Sequence, residues 1–182
     1  MGEKLMLVIE RSPITMAARA VPVFTQDELV RRWVSGGEPH PPFPTRAEII
    51  VYAQRQVVEL TRIPYGWDGG TGRPVDTTIA NLAVSLIGAV TRSDGLATPQ
   101  FSPLPDGGVS ITWLVNGDRL TIEFEDGELM FRACWGDGKD AFDYDFAPGD
   151  TTLSGRLEAA LDDSRTFLEK ISAGIQHQLI SR

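Results

Sequence analysis

A single cysteine, Cys134, rules out an intramolecular disulfide and any multi-cysteine metal cluster, and this scarcity fits a reducing compartment. Histidine is almost as rare. His40 stands among prolines and His177 near the last residues, so the spacing supports neither a histidine metal site nor a histidine-dependent triad. Long apolar runs are missing as well. No stretch approaches the ~18 apolar residues of a membrane span, and Leu5–Ile9 is too short for a signal-peptide core, so the expectation is a cytoplasmic protein with no membrane partner. No serine lies in a G-x-S-x-G setting, no Gly-Lys-Ser/Thr follows a glycine run, and there is no internal repeat.

Positive charge is scarce in one region. The net charge is −8, and residues 117–150 carry nearly all of it, with ten acids against Arg119, Arg132 and Lys139. A field of that sign repels phosphate backbones, and Arg31 with Arg32 is too small a patch to oppose it, which excludes direct nucleic-acid binding and favours a basic partner. What is plentiful is ordinary core material. With 42% hydrophobic and 23% charged residues, the chain reads as one globular domain over 1–182.

Residues 1–44 read as an irregular segment: apolar stretches at 5–9 and 17–24 as short edge strands, a helix from Thr25 to about Val34, and a stiff connector Glu38–Pro44 in which four of seven residues are proline. Residues 45–92 read as helix–loop–helix. Thr45 and Glu48 form a capping box for a helix from Arg46 to about Arg62, and Pro74 with Asp76 or Thr77 starts a second. In that second helix Ile79, Leu82, Ala83, Leu86, Ile87 and Val90 mark the expected buried stripe.

From residue 99 to 146 the period changes to two. Asn116-Gly117 and Asp126-Gly127 are two-residue hairpin loops, and they set the register: Trp113 opposite Leu120, Ile111 opposite Ile122, Val109 opposite Phe124, then Ile122 opposite Phe131 and Leu120 opposite Ala133. Phe142, Tyr144 and Phe146 continue the apolar face in a fourth strand, with Gln100–Pro103 as a fifth. A long helix over 150–180, with Leu153, Leu157, Ala160, Leu161, Ser164, Leu168, Ile171 and Ile175 on one stripe, can cover that face. The fold class is therefore α+β, a four- to five-stranded antiparallel meander with helices packed on one face.

Three groups of residues invite chemistry. The opposite sheet face displays Glu123, Glu125, Glu128, Arg132, Asp143 and Asp145 beside Arg119, Thr121, Met130 and Cys134, a surface that either stays solvated or docks a basic protein. Asp137, Asp140, Asp143 and Asp145 offer oxygen ligands for Mg²⁺ or Ca²⁺, without EF-hand spacing. The loop PYGWDGGTGRP, residues 64–74, holds four glycines around Trp67 and Asp68, and Trp67, Asp68 and Gly70 are its candidate ligand contacts. That loop follows a helix, whereas phosphate-binding glycine loops follow a strand, so its expected role is structural: Trp67 inserted in the seam between helices and sheet, and Asp68 accepting from backbone N–H groups. Cys134 lacks the cationic neighbours of a reactive thiolate.

The 64–74 loop, the helix after it and the turn Pro103-Leu104-Pro105-Asp106-Gly107-Gly108-Val109 resemble features of a group of small uncharacterised bacterial proteins. The similarity runs from Leu60 to Phe131 and departs at Arg73, where alanine is usual. It implies a recurrent domain and brings no activity, cofactor or site.

The expected function is a non-enzymatic protein-interaction module that binds a basic partner through the acidic sheet face, in the manner of a toxin-neutralising or phage-conflict accessory protein, with no cofactor. Two alternatives stand beside it. One is a Mg²⁺-dependent hydrolase or nuclease built on the 137–145 aspartates, and the other a small-ligand binder at Trp67.

Overall fold

Helix ends are fixed by short-range chemistry. The computed structural model describes residues 44–147 and 153–180, and the expectations for residues 1–43, with the helix start at Asp150 or Thr151, lie outside them. Helix α1, Arg46–Leu60, opens on the Thr45–Glu48 capping box: the Thr45 backbone N–H donates to Glu48 Oε2 (2.7 Å) and the Glu48 N–H to Thr45 Oγ1 (3.3 Å). Helix α2, Thr77–Val90, is capped by Asp76, whose Oδ1 accepts from the Thr78 N–H at 2.7 Å. Helix α3 spans Leu153–Ile180.

Five strands follow α2 in the chain: β1 Gln100–Pro103, β2 Val109–Val115, β3 Asp118–Glu125, β4 Glu128–Cys134 and β5 Asp140–Phe146. They pair in sequence order, all antiparallel. Asn116 (φ +53°) and Asp126 (φ +49°) take the left-handed conformation ahead of Gly117 and Gly127, as two-residue loops with both φ positive require. Both hairpins adopt the register that their turns dictate, with Trp113 opposite Leu120 and Ile122 opposite Phe131. A bulge at Ala133/Cys134 shifts the β4–β5 ladder, so Ala133 pairs with Phe142 and Cys134 with Asp140.

The helices occupy one face of this sheet. Helix α3 lies across β2 to β5, α2 touches β2 and α3, and α1 packs on α2 and the β1 edge. One hydrophobic core joins all of them, from Ile49 and Ile87 through Ile111, Trp113 and Phe131 to Leu168 and Ile171. Polar groups tie the helices together: Arg46 Nε donates to Thr91 O (2.7 Å), Arg165 Nε to Ala89 O (2.8 Å) and the Ala97 N–H to Ser172 Oγ (3.0 Å).

Two stripes differ from the sequence reading. In α2 the buried residues are Ala80, Ala83, Ile87 and Val90, and Leu82 is 49% exposed. The helix is apolar around most of its circumference, so periodicity alone does not select the inward side. In α3 Phe167 joins Ala160, Ser164, Leu168 and Ile171 in the core, packing against Trp135 with ring centroids 4.6 Å apart and the ring planes tilted by 44°.

Candidate functional site: the uncovered sheet face

Strand alternation sends Gln100, Ser102, Thr112, Thr121, Glu123, Met130, Arg132, Asp143 and Asp145 to the side opposite the helices. The register arranges them in rows. One runs Gln100, Thr112, Thr121, Arg132, Asp143, and its neighbour runs Ser102, Ser110, Glu123, Met130, Asp145. Arg132 stands within this acid field, its Nε 3.3 Å from Asp143 Oδ2 with both side chains about half exposed. Its pKa is raised by the hydrogen bond and charge of Asp143, with Asp145 and Glu123 adding to the effect. Arg119, Thr121, Glu123, Met130 and Arg132 line a shallow open depression of about 160 Å³. A pocket for a small organic ligand spans ~300 Å³ or more, so this surface suits a macromolecule better.

Carboxylates also gather at the β3–β4 turn. Glu125 and Glu128 are register partners, which sets like charges directly opposite each other, and Asp126 lies between them in the turn. Asp106 approaches from the loop before β2, accepting the Gly108 N–H on Oδ1 (2.9 Å) and the Asp126 N–H on Oδ2 (2.5 Å). Among the described residues no ion pair reaches Glu123, Glu125, Glu128 or Asp145. Sequence reasoning found Glu125 and Glu128 but missed Asp106 and Asp126. The run Glu-Asp-Gly-Glu was the available signal for Asp126; nothing local pointed to Asp106.

Three of the four aspartates considered for a metal have separate partners. Asp137 pairs with Lys139 in the turn (2.6 Å), Asp140 accepts from Cys134 Sγ (3.4 Å), and Asp143 is bound to Arg132. Among the described residues no group of three His, Cys, Asp or Glu side chains converges on a metal position.

The glycine loop is closed on itself. Asp68 Oδ1 accepts the Gly70 and Gly72 N–H groups, each at 2.9 Å, and these bonds hold Asp68 below the usual carboxylate range. The Gly66 N–H donates to Gly72 O (2.7 Å) and the Gly69 N–H to Gly66 O (2.9 Å), so an anion would have to displace Asp68 or break the loop. Gly72 is crowded, since a Cβ there would lie 2.8 Å from Asp68 Cγ and 2.9 Å from Trp67 Nε1. The loop docks on the turn before β2 through Arg73 N–H to Pro105 O (3.0 Å) and Asp76 N–H to Gly107 O (2.9 Å).

Trp67 does not enter the seam between helices and sheet. It is half-buried, outside the core, and donates from Nε1 to Arg73 O at 3.1 Å, bracing the loop from within. The Asp68 expectation holds, while the core-anchor expectation for Trp67 fails because an acceptor six residues along claims its indole. Trp67→Ala is therefore expected to cost about 1–2 kcal/mol in urea unfolding, less than the ~3–5 kcal/mol of a core tryptophan.

This geometry defines an α+β protein with an antiparallel meander whose helices lie on one side, and among the described residues no element covers the carboxylate-bearing side. Comparison of the chain with protein-family models, curated proteins and solved structures gives no match. Among the described residues no helix is long and apolar enough to cross a membrane.

Proposed function

We propose that the protein is a non-enzymatic interaction module that docks a basic protein on the open face of its sheet. The observation that carries this reading is the β3–β4 end of that face, where Glu125 and Glu128 oppose each other beside Asp126 and Asp106. Like charges in register weaken a hairpin, and a cationic partner relieves that repulsion when it binds. Arg132 and Asp143 supply a fixed polar centre around which the flanking carboxylates of Glu123 and Asp145 orient an incoming surface. In this reading the protein acts in the cytoplasm, and a toxin or phage factor is the kind of basic partner it would neutralise.

The test is charge reversal. Immobilised protein is expected to capture a basic protein that is released as salt shortens the screening length from about 8 Å toward 3 Å. The Glu125→Lys/Glu128→Lys variant is expected to lose that capture while melting normally. Capture that survives both salt and charge reversal rejects the reading.

A further inference from the structure

The sheet has two edges, and they differ. Strand β1 is four residues long and ends in Pro103, which has no N–H to offer, so it is a poor template for another strand. Strand β5 is seven residues long and pairs only with β4 among the described residues. In an antiparallel ladder every second residue turns its N–H and C=O away from its neighbour strand. The Asp145 carbonyl marks the phase: it accepts from Arg156 Nη2 of α3 (3.2 Å) on the outer side, which places the backbone groups of Asp143 outward with it.

Side chains along this edge alternate sharply. Asp143 and Asp145 stand on the open face, while Phe142 and Tyr144 stand half-buried on the helix side against one another, ring centroids 5.7 Å apart. No base occurs between Asp140 and Phe146. A second copy of the chain is a poor occupant, because pairing β5 with β5 in the registers centred on Asp143, Tyr144 or Asp145 sets aspartate against aspartate.

We propose that β5 is a strand-addition site, which takes an extended segment of a basic protein whose residues alternate between Lys or Arg, facing Asp143 and Asp145, and apolar side chains, facing Phe142 and Tyr144. This rests on the basic-partner reading above and specifies its mode of binding. Backbone hydrogen bonds to Asp143 and Asp145 supply affinity, and the two rows of side chains supply selectivity. Arg156 yields the Asp145 carbonyl to the incoming strand or confines pairing to the residues before it.

The experiment uses the full chain and two short peptides of identical composition, one alternating lysine and valine, the other carrying the same residues in blocks. The alternating peptide is expected to bind at least about tenfold more tightly. Binding is expected to slow amide hydrogen exchange at Asp143 and Asp145 and leave the β1 amides unchanged. Asp143→Asn/Asp145→Asn, chosen to keep the fold, is expected to lose that preference. Equal binding of both peptides without added protection overturns strand addition while leaving the acidic-face reading in place. Failure of both basic peptides to bind removes both readings. Undiminished binding to the double variant overturns the basic character assigned to the partner.

Discussion

Trp113→Ala is expected to lower the unfolding free energy by about 3–5 kcal/mol, the range for removing a large aromatic from a close-packed interior. Trp113 has no exposed surface and lies on β2 opposite Leu120, in the sheet centre that α3 covers. For a chain of this size the melting temperature is expected to fall by roughly 10 °C. The indole also carries a cost of its own, because Nε1 is buried and meets no hydrogen-bond acceptor among the described residues. Trp113→Phe removes that desolvated donor along with some volume, so its loss is expected to stay below about 1.5 kcal/mol. Urea titrations of the two variants check both statements, and equal losses would show that the indole N–H is satisfied after all.

Gly108→Ala is expected to be nearly as damaging, about 3 kcal/mol, although it adds only one carbon. A Cβ at this position would lie 1.9 Å from the Phe124 carbonyl oxygen and 2.9 Å from Asp106 Oδ1. The first of these is backbone, so no rotamer change relieves it, and the start of β2 must separate from the end of β3. That movement also pulls on the Asp106 bonds to Gly108 and Asp126, and with them on the acidic turn. Thermal unfolding measures the loss; a change below about 1 kcal/mol would mean that the strand shifts aside easily.

The sheet was readable because its information is local. Two dipeptides with positive φ set the register of three strands, and alternation then assigned every side chain between them to a face. The Thr45–Glu48 capping box was equally local. What sequence could not give depended on contacts between distant segments. Leu82 points outward because α1 and α3 decide which side of α2 is inside, and Trp67 stays with its own loop because the Arg73 carbonyl lies within reach of its indole. The docking of the 64–74 loop on Pro105 and Gly107 joins residues about thirty apart through backbone groups, which carry no side-chain signature. The same limit applied to the acidic face. Its charges were visible in order, but Asp106 reaches Asp126 only once β2 and β3 are paired.

Because the strands pair in the order in which they are made, while α3 follows them in the chain, a ribosome delivers the whole meander before the helix that lies across β2 to β5. At roughly 5–20 residues per second, the apolar row through Trp113, Leu120, Ala133 and Phe142 waits on the order of seconds for α3 to emerge. In that interval the nascent chain presents a sheet sticky on one side and strongly anionic on the other.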